Sequence, residues 1–203
     1  MADTNKVRFG IKSAFYALLE EAQDGTITYG TPVAFPGSVS LTMDPQGGDP
    51  EPFYADDIVY YQAPGNNGGY SGDYEVAKVI DSFRKDVLGE VEDASGMLVE
   101  IADVMPKPFA LMVQFSGDKH NTRHVFYNCT ASRPNAGSST IEEQATPQTE
   151  TITITAIPAT FDEHHIIKAK AIPDNSTYAD FFTAVQIPDL DTNSNSNSDP
   201  AEG

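Results

Sequence analysis

Apolar and polar positions alternate with a period of two in several segments of this chain, most clearly from Thr149 to Ala156, the spacing that puts successive side chains on opposite faces of a strand. Val7 to Lys12 reads as a first strand. Ser13 to Glu21 holds Ala14, Phe15, Tyr16, Ala17, Leu18 and Leu19; Ala and Leu favour helix, but the short length and the aromatics favour a strand. Asp24-Gly25 is a hairpin signal before the β-branched run Thr26 to Tyr29. Val39, Leu41 and Met43 then alternate with Ser38, Ser40 and Thr42 as a half-buried strand. Val79, Phe83 and Val87 recur at steps of four and predict one short helix that packs on a sheet. Asp81 or Ser82 is its expected cap and Gly89 its left-handed stop. Beyond Gly96 the pattern returns to strands: Met97–Ile101, Phe109–Phe115, His124–Thr130, Thr149–Ala156, His165–Ile172 and Phe181–Ile187, with a turn beginning at Gly117-Asp118. The expected class is mainly β (α+β), an antiparallel sandwich or barrel-like domain with one flanking helix.

One stretch departs from this regularity. Between strand-like arms at Ser38–Met43 and Asp73–Val79 lies a span rich in turn dipeptides: Asp44-Pro45, Gly47-Gly48, Pro64-Gly65, Gly68-Gly69 and Ser71-Gly72. It nonetheless carries Phe53, Tyr54, Ile58, Val59, Tyr60, Tyr61 and Tyr70, a payload that linkers lack. A loop this long in a compact domain is usually functional. Residues 44–72 therefore read as an arm that gains order against something outside its own subunit, with Phe53, Tyr54, Ile58, Tyr60, Tyr61, Asn66 and Tyr70 as its contact candidates.

Charge sharpens that reading. The formal net charge is −18, and no Lys or Arg occurs between Lys12 and Lys78, whereas ten acidic residues do. Such a balance argues against tight binding to DNA, RNA or anionic membranes. Residues 1–190 are expected to form one domain and the Asn/Ser/Asp-rich residues 191–203 a disordered tail. Cys129 is the single cysteine, expected to be a buried inert thiol. The opening Met1-Ala2-Asp3-Thr4-Asn5 shows no signal pattern, and no apolar run reaches the roughly 20 residues of a membrane span, so folding in a cytoplasm is expected.

Catalytic and metal chemistry find no support. The histidines are His120, His124, His164 and His165, and the adjacent pair points to opposite faces of a strand, a poor arrangement for one zinc ion. The glycine-rich 65–72 segment lacks a phosphate-loop ending. Asp56-Asp57 could act as paired carboxylates or hold a hard cation, but without the ladder of a calcium loop. No Gly-x-Ser-x-Gly elbow occurs. No enzyme activity and no cofactor are expected.

Several separated runs carry a resemblance: DGTITYGTPVAFPGSVSLTM (Asp24–Met43), FYADDIVYY (Phe53–Tyr61), NNGGYSGDYEVAKVIDSFRKDVLGE (Asn66–Glu90), GDKHNTRHVFYNCTASRP (Gly117–Pro134) and PQTETITITA (Pro147–Ala156). Together they resemble the major tail protein (tail tube) family of non-contractile, long-tailed bacteriophages and prophages of Gram-positive bacteria. The resemblance implies a virion protein, made in the host cytoplasm, whose hexameric rings stack into a hollow tube. The partners it implies are other copies, the tape measure protein inside, the terminator and distal tail proteins at the ends, and genomic DNA as passing cargo. It also implies an inner barrel of about 24 strands, whose spacing and tilt leave a bore on the order of 40 Å. By position, Val39–Met43, Asp73–Val79, Phe109–Phe115 and His124–Thr130 would line it, with Asp73 and Glu75 facing the lumen. The competing expectation is a cell-surface or carbohydrate-binding sandwich module whose tyrosines stack on sugars.

Overall fold

The computed structural model describes residues 9–48, 50, 52–62, 65–116, 121–138 and 147–190. The expected 191–203 tail, His120 and the Gly117-Asp118 turn lie outside them. In chain order the strands are β1 (Phe9–Glu21), β2 (Ile27–Tyr29), β3 (Val33–Ala34), β4 (Ser38–Leu41), β5 (Asp44–Gln46), β6 (Pro52–Ala55), β7 (Ile58–Gln62) and β8 (Gly69–Val76). Helix α1 (Asp81–Asp86) follows, then β9 (Val91–Glu92), β10 (Leu98–Val99), β11 (Phe109–Ser116), β12 (Arg123–Ala131), β13 (Glu150–Ile157), β14 (Ala159–Phe161), β15 (His164–Ile166) and β16 (Lys168–Ala171). The protein is mainly β, built on one large antiparallel sheet in the order β2-β1-β11-β12-β13-β8-β4.

The sheet curls around its core. Phe35 donates its backbone N–H to Ala14 at 2.8 Å and β3 pairs with β1, which brings the β3–β4 segment back beside β1. Inside lie Tyr16, Phe35, Tyr74, Val76, Phe109, Leu111, Phe126, Ile152 and Ile154. Phe83 stacks on Phe35 at 4.9 Å and meets Tyr16 and Phe109 edge-on, so α1 closes this core with one ring. A second apolar layer covers the other face of β1, β11 and β12: Ala17, Ala110, Met112, Val125 and Tyr127 pack against Phe161, Ala171 and Phe181. Strand β11 is therefore buried on both faces, as continuous apolar runs in central strands are.

The predicted strand in Ser13–Glu21 is present and continuous with Phe9–Lys12 of the first, through bulges near Gly10; Val7 and Arg8 lie outside the described residues. The Asp24-Gly25 turn forms, with Thr26 N–H donating to the Asp24 carboxylate at 3.0 Å. Other expectations need correction. Only Phe83 of the three spaced residues lies on the helix; Val79 precedes it and Val87 ends it, although all three are buried. Neither Asp81 nor Ser82 caps it, because both are already helical and Ile80 holds the cap position. Glu150 on β13 organises this end instead, accepting from Val79 N–H at 2.7 Å and from Arg84 at 3.0 Å. Gly89 does take the left-handed conformation, at φ 76°.

A bulge between Ser38 and Ser40 breaks the expected alternation at the start of β4, where Ser38 turns inward to Tyr74 at 2.5 Å and Val39 is left exposed, while Leu41 and Met43 pack on the core as expected. Of Met97–Ile101 only Leu98–Val99 is strand, paired with β9. His165–Ile172 divides between β15 and β16, and Phe181–Ile187 holds turns and irregular backbone, its rings anchored by apolar contact rather than by a ladder.

Candidate assembly interface

The described residues of the span between β4 and β8 form two antiparallel ladders, not a series of open turns. Strand β5 pairs with the start of β8 (Asp44↔Ser71, Pro45↔Tyr70, Gln46↔Gly69). Gly68 N–H then donates to Gln46 at 2.6 Å and Gly48 N–H to the Asn66 side chain at 3.0 Å, which extends the stem. Asn66 is thus a stem residue. Strands β6 and β7 form the tip around Asp56-Asp57, whose φ values of 52° and 59° match the two positive angles of a tight hairpin turn. Tyr60 is the extra residue of a bulge, since Phe53 faces Tyr61 and Tyr54 faces Val59.

This tip has no core beneath it. Phe53, Tyr54, Ile58, Val59, Tyr60 and Tyr61 are 51–71% exposed. A two-stranded hairpin alone is marginal in water, and an exposed apolar cluster of this kind is rare on the surface of a subunit that stays single. Tyr70 belongs elsewhere: β8 begins at Gly69, and Tyr70 packs edge-on against Phe126 at 5.7 Å with Lys168 4.1 Å above its ring.

The second feature is a polar sheet face. In β8, Tyr74 and Val76 point into the core, so Ser71, Asp73 and Glu75 point away from it. Thr151, Thr153 and Thr155 do the same on β13. Hydroxyls and carboxylates bond across the strands: Thr153 to Asp73 at 2.9 Å, Thr149 to Glu75 at 2.6 Å and Ser40 to Glu75 at 3.0 Å. The strands expected to line a bore are not contiguous, because β13 stands between β8 and β12. Strand β11 and most of β12 are covered in the subunit itself, so the open wall is β4–β8–β13.

The hydroxyl donors hold Glu75 below the usual carboxylate range, Thr149 first and Ser40 second. A depressed folded pKa stabilises the fold above the unfolded value, and that contribution is lost as pH falls through the folded value. Carbon-13 carboxyl titration is therefore expected to place Glu75 below a free glutamate, and Thr149→Val to move its midpoint up. An unchanged midpoint in that variant would remove Thr149 as the cause.

The third feature was not read from the sequence. Strand β12 pairs with β16 through residues 123–126 and with β13 through 128–131, so these two neighbours part along one edge. A groove of about 640 Å³ opens there, walled by Leu41, Met43, Tyr70, Phe115 and Phe126, with Lys168 and Lys170 at its rim. The one available signal was the Lys-Ala-Lys spacing, which puts both ammonium groups on one side of a strand.

Elsewhere the chemistry is sparse. Among the described residues no three His, Cys, Asp or Glu side chains gather as a metal site, and no helix is long and apolar enough to cross a membrane. Cys129 is fully buried and its thiol is pushed up to about 12. His165 faces the Thr160 hydroxyl at 3.1 Å. No family model matches the chain, and no curated protein does either.

Proposed function

We propose that this protein is a structural subunit that polymerises with its own kind, as the major tail tube protein of a long-tailed, non-contractile phage or a related particle. The observation that carries this reading is the arm: six large apolar side chains on a strand pair with no core of its own. Covering them on a neighbouring copy removes them from water and removes the exposed edges of the arm.

The polar face supports the same reading. In a ring of copies, β4, β8 and β13 would form the wall of the bore. Its carboxylates repel phosphate, and their lone pairs are already engaged by Ser and Thr hydroxyls on the same face. Duplex DNA would pass such a wall without adhering. In this reading the tape measure protein occupies the bore during assembly, terminator and distal tail proteins bind the tube ends, and assembly takes place in the bacterial cytoplasm before the tail joins the virion. The protein acts by shape and surface, without catalysis or cofactor.

Negative-stain electron microscopy of the purified protein over a range of concentrations tests this. Hollow tubes or sixfold rings are expected. A protein that stays monomeric at every concentration and instead binds glycans on an array would replace this reading with a carbohydrate-binding module, to which the exposed Tyr54, Tyr60 and Tyr61 would lend themselves.

A further inference from the structure

The groove between β4–β5 and β12–β16 is a receptor in search of a ligand, and the chain itself carries a matching one. Its walls are apolar and its charged lining residues are Lys168 and Lys170, with His124 beside them and no carboxylate. That is unusual in a chain with 30 acidic and 12 basic residues. Neither lysine forms an ion pair among the described residues. The arm has the opposite character: an apolar body and a turn made of Asp56 and Asp57, in a stretch without a single cation from residue 13 to residue 77.

We infer that the arm tip of one copy seats in this groove of a second copy, with Phe53, Ile58 and Tyr60 against its apolar walls and Asp56-Asp57 at the Lys168/Lys170 rim. This rests on the self-assembly reading above and adds the receptor surface to it. The arm leaves from the groove's own wall, since Leu41, Met43 and Tyr70 line the cavity and the β5:β8 ladder begins beside them. Among the described residues no side chain of the tip lines the groove of its own copy, and its large apolar side chains are exposed. One arm and one groove at different places on each copy make a heterologous contact, which closes into rings or propagates along a filament.

The test uses full-length protein and sedimentation velocity. Lys168→Glu with Lys170→Glu, and separately Asp56→Lys with Asp57→Lys, are each expected to raise the concentration needed for association by about tenfold or more. The four changes combined are expected to restore it, because the opposed charges are exchanged. If the wild-type chain associates, an unaffected Lys168/Lys170 variant places the arm elsewhere while the assembly reading survives. A wild-type chain that never associates overturns both. Failure of the fourfold variant, with its melting curve intact, also overturns the pairing. A second measurement fixes the geometry: Ile58→Cys with Thr42→Cys, oxidised during association, is expected to give covalent oligomers. A disulfide confined to monomers would show the arm folding onto its own subunit and end the proposal. The native Cys129 is buried and does not interfere.

Discussion

Replacing Phe53, Tyr60 and Tyr61 together by serine is expected to abolish association while leaving the subunit folded. These three side chains are 61–71% exposed, so the monomer loses little by their removal. In the proposed assembly each would contribute about 1 kcal/mol, roughly half the value of burying a large side chain fully. Their joint loss of about 3 kcal/mol raises the concentration needed for association more than a hundredfold. Sedimentation and electron microscopy read the assembly, and circular dichroism reads the fold. Tubes at wild-type concentration would show that the arm is not the contact surface. A collapsed melting temperature would show that the tip helps to hold its own subunit.

Gly72→Ala is expected to produce a large loss of stability. A Cβ at Gly72 would lie 1.8 Å from the Thr42 carbonyl oxygen and 2.7 Å from its carbon. Both obstacles are backbone, and the adjacent Thr42 N–H to Asp73 bond at 3.0 Å ties the two strands at that spacing. The clash can be relieved only by separating β8 from the β4–β5 edge. A cost of about 3 kcal/mol or more follows, or roughly 6–12 °C in Tm for a domain of this size. Gly137→Ala is the control, since a Cβ there meets nothing within 4 Å. Equal Tm values for the two variants would mean that the strands part at little cost. Association should also suffer in Gly72→Ala, because the same edge carries the arm.

These two sites differ in how visible they were from composition. The exposed arm was legible because aromatic residues in a Gly/Pro-rich span contradict each other locally: Phe53 to Tyr61 has a payload to bury and nothing nearby to bury it in. Gly72 was misread for a related reason. Gly and Ser favour turns in isolation, yet here glycine sits inside β8 because a neighbouring strand passes too close for any side chain. Sequence records that a residue is small; the distance to Thr42 says why.

The alternating threonines of β13 and the inward Tyr74 and Val76 were likewise determined locally, since a period of two separates buried from solvated faces whatever the partner strand. The same period put Asp73 and Glu75 on the face opposite Tyr74 and Val76, their charge assigned that face to water, and the four-residue spacing of Val79, Phe83 and Val87 marked α1 as short and packed on the sheet. Partnership was a different matter. That β13 would stand between β8 and β12, that Glu150 rather than Asp81 or Ser82 would organise the start of α1, and that β13 and β16 would part to open a groove all depend on residues far apart in the chain. Strand periodicity fixes which side of a strand is wet, because that depends on the residue's own side chain. It cannot fix which strands become neighbours, because that depends on the summed packing of Phe83, Phe35, Phe126 and their surroundings, and only the folded chain performs that sum.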